Sequence, residues 1–183
     1  MDALKIALLL FAAVIILAAV FLLFRAMQPQ APVNPPPSIT GTQIEFGGCR
    51  FIGPSSYSQE RISEIPGMSG NATLIRLNAT GSSVVAGVTS DGRQKVPESQ
   101  LGNYVFGMKM GLGSFDSENG STIGGMRAAQ WHSFGTGGKE VLTAVVLPTD
   151  GYMRMLMVTY LPQDAPEGRI VFTMIRDSLN CSG

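Results

Sequence analysis

Few residues of this chain are of the types that perform acid–base or nucleophilic chemistry. Its single histidine, His132, stands beside Ser133, a pairing that could belong to a nucleophilic site. Neighbouring side chains of an extended strand point to opposite faces, so His132 cannot simply activate Ser133. Around Ser133, Ser114 and Asp116 the sequence shows no pattern of nucleophile, base and orienting group. We therefore expect a non-enzymatic protein, and a hydrolase that uses these residues is the alternative.

Two further motifs suggest a cofactor or a metal ion. The run 135–139, Gly-Thr-Gly-Gly-Lys, resembles a phosphate-binding loop, but Ser133 stands at the required first glycine and Glu140 follows the lysine in place of Ser or Thr. Asp116 and Glu118 could bind calcium, although the EF-hand register is missing. Two distant cysteines and one histidine do not make a four-ligand zinc set. The sequence predicts a hairpin turn at 135–139 and neither a cofactor nor a metal site.

The two cysteines, Cys49 and Cys181, bracket almost the whole chain after its first quarter. A bridge between them would close a loop of about 130 residues, for which the chain-entropy model predicts nearly 5 kcal/mol. We expect this disulfide, and with it an oxidising compartment outside the cytoplasm. Two unrelated buried thiols are the alternative.

A methionine group, Met153, Met155 and Met157, marks a candidate ligand or partner surface together with Trp131. Methionine adapts to irregular apolar contacts and is common at promiscuous binding surfaces. Alternate methionines on a strand are, however, more often core packing. Both interpretations stay open at this level.

The charge pattern argues against nucleic acid as a partner. The chain has 13 basic and 13 acidic residues and a formal net charge of zero. A surface that follows phosphates needs a basic patch or stripe, and no window of the sequence has one.

The apolar run 6–24 has the length of a membrane span. It carries no charged residue, and at about 1.5 Å per residue it reaches roughly 28 Å, against a hydrocarbon core of about 30 Å. It is longer than a usual signal-peptide core, and its exit lacks a small-x-small cleavage pattern. We expect residues 1–27 to be a retained, single-pass signal-anchor that contacts the membrane through 6–24, with a cytoplasmic N-terminus. A cleaved signal peptide is the alternative.

A proline-rich linker at 28–39 and one extracytoplasmic domain at 40–183 follow. The prolines favour an extended spacer, and the domain has the commonest single-domain size. Apolar runs separated by turn residues predict strands, and the helical spacing after Asp164 predicts a helix that ends at Asn180–Cys181. The expected strands are 43–46, 50–52, 72–77, 83–88, 126–134, 140–147 and 152–161, with a short helical turn at 59–65 and a strand or short helix at 104–110.

These elements predict an α+β fold class. An N-terminal transmembrane helix would precede a single domain in which helices flank an antiparallel sheet and the C-terminal helix packs on that sheet. The run 141–147 has apolar residues on both faces of a strand, so we expect it to be a central strand that is covered on both sides.

Three segments resemble the PsbP-like family, a broad group of small α/β sandwiches that includes lumenal photosystem proteins and many bacterial lipoproteins. Residues 50–57, Arg-Phe-Ile-Gly-Pro-Ser-Ser-Tyr, resemble the opening strand of the family. Residues 124–129 are similar to its glycine-led strand, and 151–180 to its final strand and helix. The resemblance implies an antiparallel sheet flanked by helices and a role in binding or assembly, and it transfers no catalytic residues.

The expected function is that of a membrane-anchored, non-enzymatic domain that binds or assembles a protein complex of the cell envelope. The apolar run, the short spacer and the lack of a convergent polar cluster motivate this hypothesis. A binding module for a small apolar or lipid ligand is the alternative. In that case Trp131 and the methionine group would line a pocket.

Overall fold

The structure, a computed structural model, describes residues 38–63, 72–91, 95–112 and 114–181. These residues form two antiparallel sheets, one with the strand order β1-β2-β10 and one with the order β3-β4-β5-β9-β8-β7-β6. The strands are β1 (Gly41–Phe46), β2 (Cys49–Pro54), β3 (Ser58–Ile62), β4 (Ala72–Asn78), β5 (Val85–Asp91), β6 (Ser114–Ile123), β7 (Met126–Phe134), β8 (Glu140–Leu147), β9 (Arg154–Tyr160) and β10 (Asn180–Cys181). The two described α-helices are α1 (Leu101–Leu112) and α2 (Ala165–Ser178).

The expected fold class is wrong. Strands dominate the described residues and form two sheets rather than one, because the alternating segments between Gly41 and Pro54 pair with each other and with the end of the chain. Among the described residues no helix has both the length and the apolar character needed to cross a membrane. The run 6–24, for which the sequence predicts the transmembrane helix, lies outside the described residues. The structure therefore gives the expected membrane anchor no support.

The main core lies between the larger sheet and α2. One face of α2 buries Val171, Phe172 and Ile175, as its apolar spacing predicts, against the inward side chains of both sheets. Gly168 brings the helix close to the sheet, since a Cβ at this position would overlap the ring of Tyr160. The helix is thus held between the small sheet and the face of the larger sheet that we call the inner face.

The three strands β7, β8 and β9 form the antiparallel meander that the sequence predicts. The central strand β8 is buried at Val141 and from Thr143 to Leu147, so both of its faces are covered. This burial confirms the prediction for the run 141–147, which has apolar residues on both faces.

Two predicted elements are wrong in type. The segment expected to be a helical turn at 59–65 contains β3, in which Ser58 to Ile62 pair with Asn78 to Leu74 of β4. Its Gln, Glu and Arg residues have good helix propensity, but pairing with β4 overrides that weak preference. The end of the chain at Asn180–Cys181 does not finish a helix but forms β10.

The opposite face of the larger sheet, which we call the outer face, is covered by α1 over β7 and β8. Leu101 and Val105 of the helix pack there against Trp131, Val145 and other apolar residues of the two strands. The spacing of four residues between Leu101 and Val105 places both on one side of a helix. Within the part of the chain that the structure describes, this cover does not extend over the whole face.

Candidate functional site

An apolar depression lies on the part of the outer face that is formed by β4, β5 and β9. The alternation of each strand brings every second residue to this face. The depression has a volume of about 270 Å³ and we call it the open groove. Its lining residues are Leu74, Arg76, Val85, Ala86, Gly87, Thr89, Met155, Met157 and Thr159.

Gly87 lies at the centre of the open groove. It pairs with Arg76 on β4 and with Met157 on β9, so the three positions form one row across the sheet. The absent side chain leaves the hollow, and a Cβ built on Gly87 would lie 3.0 Å from Cδ1 of Leu74, the end of a flexible side chain. A larger residue at position 87 would therefore fill the open groove from its floor.

Arg76 is the one charged residue among the described lining residues of the open groove. Its Nη1 donates a hydrogen bond to Oε2 of Glu60 on the edge strand β3, at 3.2 Å. The Arg76 side chain stays 42% exposed. An exposed ion pair of this kind contributes about 0–1 kcal/mol to stability. The guanidinium has five N–H groups, so those that do not contact Glu60 can bind a second acceptor.

The residues of the predicted ligand or partner surface divide between the open groove and the core beneath α1. Met155 and Met157 line the open groove. Trp131 is 3% exposed within the cluster under α1, and Met153 packs against that cluster together with Met155. Trp131 and Met157 thus do not meet in a single pocket among the described residues.

His132 belongs to a polar cluster that the amino-acid sequence does not reveal. Its Nε2 lies 3.2 Å from Oε2 of Glu140, and the same carboxylate oxygen accepts a hydrogen bond from the Tyr160 hydroxyl at 3.2 Å. Arg169 of α2 lies 4.0 Å from that oxygen. Burial raises the pKa of Tyr160, so its hydroxyl stays a donor. These residues come together through the register of β7, β8 and β9 and the packing of α2 on them. No local sequence motif predicts this contact.

Of the candidate nucleophiles, Ser133 has a described side chain, and this side chain does not face His132. Ser133 is buried on the outer face, whereas its neighbour His132 points to the inner face and contacts Glu140. The side chains of Ser114, Asp116 and Glu118 lie outside the described part of the structure. In the described residues no group of three His, Cys, Asp or Glu side chains could hold a metal ion.

A second polar cluster fixes the start of α2 to the loop before β5. The N–H and Oγ of Ser83 donate hydrogen bonds to Oδ2 of Asp164, at 2.9 and 2.5 Å. These two donors hold the pKa of the Asp164 carboxyl below its usual value. Nearby, the Tyr57 hydroxyl donates a hydrogen bond to Oε1 of Glu167 at 2.6 Å. The pKa of Tyr57 is raised mainly by burial and secondly by this hydrogen bond. The cluster is structural, since its polar groups satisfy one another.

Cys49 and Cys181 form a disulfide. The two residues are register partners in β2 and β10, so the bond closes the small sheet. It confirms the predicted pairing and indicates an oxidising, extracytoplasmic compartment. Next to Cys49 lies an open cleft of about 580 Å³ with a mixed polar and apolar lining, where Arg50 makes an ion pair with Glu45 at 2.9 Å.

Comparisons with known proteins give a likeness of fold only. No protein-family model matches the chain, so its resemblance to the PsbP-like family stays a prediction. No curated protein matches its sequence. Among solved structures, PA94 from Pseudomonas aeruginosa, a protein of unknown function described as a candidate regulator, has a TM-score of 0.48 and 12% identity, over 78% of this chain and 98% of its own.

LpqN of Mycobacterium tuberculosis, which is involved in cell envelope biogenesis, also has a TM-score of 0.48. It is 15% identical over 80% of this chain and 93% of its own. Likenesses at this level carry no argument about what this chain binds.

Proposed function

We propose that this protein is a non-enzymatic binding domain that holds a partner protein of the cell envelope on the outer face of its larger sheet and helps to assemble or stabilise that partner's complex. The open groove is the observation that carries the proposal. A sheet buries its apolar faces against another layer. The cluster under α1 covers β7, β8 and the Met155 end of β9, and among the described residues no helix covers the rest of this face over β4, β5 and β9. The half-buried apolar side chains over β4, β5 and β9 are suited to a second surface.

The disulfide supports the proposed place of action. A bond between Cys49 and Cys181 persists in an oxidising compartment, which for a bacterial chain is the envelope. The balanced charge of the chain favours a protein over nucleic acid. The described polar clusters support a non-enzymatic role, since their hydrogen bonds connect secondary-structure elements.

A small apolar or lipid ligand is the second candidate, favoured by Met155 and Met157 in the open groove. The volume of about 270 Å³ lies just below the range of roughly 300–1,000 Å³ that is usual for ligand pockets. The groove is also open along its length, so an acyl chain would stay partly in water. These dimensions favour the surface of a protein. Native mass spectrometry of the purified full-length chain distinguishes the candidates, because a bound lipid adds a defined mass.

Site-specific photo-crosslinking tests the proposal. In the full-length chain, Thr159 at the rim of the open groove is replaced by p-benzoylphenylalanine, cells that express the chain are irradiated, and adducts are identified by mass spectrometry. We expect one reproducible protein adduct. Adding Gly87→Leu, which fills the groove, should lower its yield at least about tenfold.

Gly102→Leu is the matched control, because a Cβ on Gly102 of α1 meets nothing within 4 Å. This control should leave the adduct unchanged. If Gly87→Leu disturbs folding, Met157→Lys is used in its place. It puts a charge into the open groove, and the fold should tolerate it because a half-buried lysine can extend its charged end into water. Absence of any adduct, or an adduct that both groove variants leave unchanged, would reject the proposal.

A further inference from the structure

We infer that the segment bound in the open groove is an amphipathic helix that places an acidic residue against Arg76. This inference rests on the proposed function and specifies the chemistry of the partner. Four features of the open groove support it: the paired backbone of its strands, its aliphatic and methionine lining, its width and the charge of Arg76.

The backbone beneath the open groove excludes an added strand. A peptide that extends a sheet needs an edge strand with free N–H and C=O groups. The strands under the groove are all internal: β4 pairs with β3 and β5, and β9 pairs with β5 and β8. The backbone N–H and C=O groups of these strands are paired within the sheet, so the occupant must bind through its own side chains.

The lining of the open groove favours a helix over a proline-rich segment. Grooves for polyproline segments are lined by aromatic residues. None of the described residues that line the open groove is aromatic, and Leu74, Val85 and Met157 are aliphatic or thioether side chains. Methionine-rich apolar grooves are typical of sites that accept one face of a helix.

The dimensions of the open groove fit one helix. Three adjacent strands span about 10 Å between their outer axes, and a helix with its side chains is roughly 10–12 Å wide. From Val85 to Thr89 the groove runs about 14 Å along β5. Two turns of helix, about 11 Å long, bring apolar residues at i, i+4 and i+7 into this length. The bound helix would lie beside α1 and complete the layer over the outer face.

The charge of the open groove specifies a carboxylate on the helix. Among the described residues, Arg76 donates a side-chain hydrogen bond to Glu60, and 42% of its side chain is exposed. Guanidinium N–H groups bind carboxylates in a charge-assisted, often bidentate geometry. An acidic residue beside the apolar stripe of the helix would therefore share Arg76 with Glu60.

The test begins with the adduct captured at position 159. Peptide mapping identifies the cross-linked segment, which is synthesised with a fluorescent label, and its affinity for the full-length chain is measured by anisotropy. We expect helical circular dichroism on binding and apolar residues at i, i+4 and i+7. Arg76→Glu should weaken binding at least about tenfold, because it places like charges together.

Two variants make the charge argument specific. Glu60→Gln removes the internal competitor for Arg76, so it should tighten binding of the labelled peptide. A peptide whose acidic residue is changed to lysine should bind the Arg76→Glu variant more tightly than it binds the unmodified chain. This inference is overturned if the cross-linked segment lacks helical spacing or if Arg76→Glu binds it with unchanged affinity. The proposed function still stands in either case, provided that the adduct depends on Gly87. An adduct to a lipid, to a second copy of this chain or to its own residues 1–37 overturns both.

Discussion

At the scale of single residues, Gly168 shows how closely α2 approaches the larger sheet. A Cβ at this buried position would overlap the Tyr160 ring, and Tyr160 is fully buried. Helix propensity alone would favour alanine over glycine by about 1 kcal/mol. The contact with the ring should reverse that preference, because overpacking a core costs about 1–3 kcal/mol.

We therefore predict that Gly168→Ala lowers the free energy of unfolding. The measurement is urea unfolding followed by the fluorescence of Trp131, the single tryptophan, which is buried. Gly107→Ala on the exposed side of α1 is the control, since nothing lies within 4 Å of its Cβ, and it should stabilise by about 0.5–1 kcal/mol. Equal effects of the two substitutions would show that the contact with Tyr160 is not tight.

Thr143 carries a buried hydroxyl group without a hydrogen-bond partner. The residue has no exposed surface, and its Oγ1 finds no acceptor or donor in the described structure. We predict that Thr143→Val, which keeps the shape and the branched Cβ, raises the free energy of unfolding by about 1 kcal/mol. Thr89→Val is the contrast, because it removes a long hydrogen bond of 3.5 Å from the Thr89 hydroxyl to the Met155 carbonyl oxygen, so it should not raise the free energy of unfolding. A destabilised Thr143→Val would mean that the hydroxyl has a partner, and equilibrium unfolding in urea decides between these results.

Asp164 makes stability depend on acidity. Its pKa is lowered in the folded chain by the two donors of Ser83, so its stabilisation is present above the unfolded pKa of about 3.9 and is lost as the pH falls through the folded value. We predict that Ser83→Ala reduces the loss of unfolding free energy between pH 5 and pH 2 relative to the unmodified chain. The result is read from urea unfolding across that pH range, and an unchanged slope would contradict it.

Of the residue-level contacts, the sequence predicts only those that alternation determines. It separates His132 from Ser133 because neighbours on a strand face opposite sides. It does not reveal that Glu140 and Tyr160 meet His132, since this contact depends on the register of β7, β8 and β9. The open groove is hidden for the same reason, because Gly87, Arg76 and Met157 come together across three strands.

At the scale of elements, long patterns are readable and short polar segments are not. The bounds of β7 and β8 agree with the sequence prediction because each is a run of strand-forming residues between glycine- or proline-containing turns. The strand β3 escapes prediction because its charged side chains have helix propensity and its pairing partner β4 lies more than ten residues away. The charges of β3 suit an edge strand, where they oppose unwanted pairing with other chains.

The helix α1 illustrates a second limit at this scale. Its three glycines, Gly102, Gly107 and Gly111, weaken the helical signal, so the sequence predicts a strand or a short helix at 104–110. The decisive contact is with Trp131 and Val145 on another part of the chain. Tertiary packing supplies most helix stability in proteins, which is why the local pattern alone is insufficient.

At the scale of the whole molecule, the disulfide joins β2 to the end of the chain across a separation of 132 residues. We predict that Cys49→Ala together with Cys181→Ala lowers the free energy of unfolding, by up to about 5 kcal/mol on the chain-entropy model. The measurement compares urea unfolding of this double variant with that of the oxidised chain. Mass spectrometry of the unreduced chain provides the control, and two free thiols would contradict the prediction.

The open groove of the outer face is the proposed binding site for the partner protein. The most direct test is calorimetric titration of the purified partner, identified by its adduct at position 159, into the full-length chain and into two of its variants. We predict that Gly87→Leu weakens binding at least about tenfold and that Gly102→Leu leaves the affinity unchanged. If the partner binds Gly87→Leu with the affinity of the unmodified chain, the open groove is not its binding site.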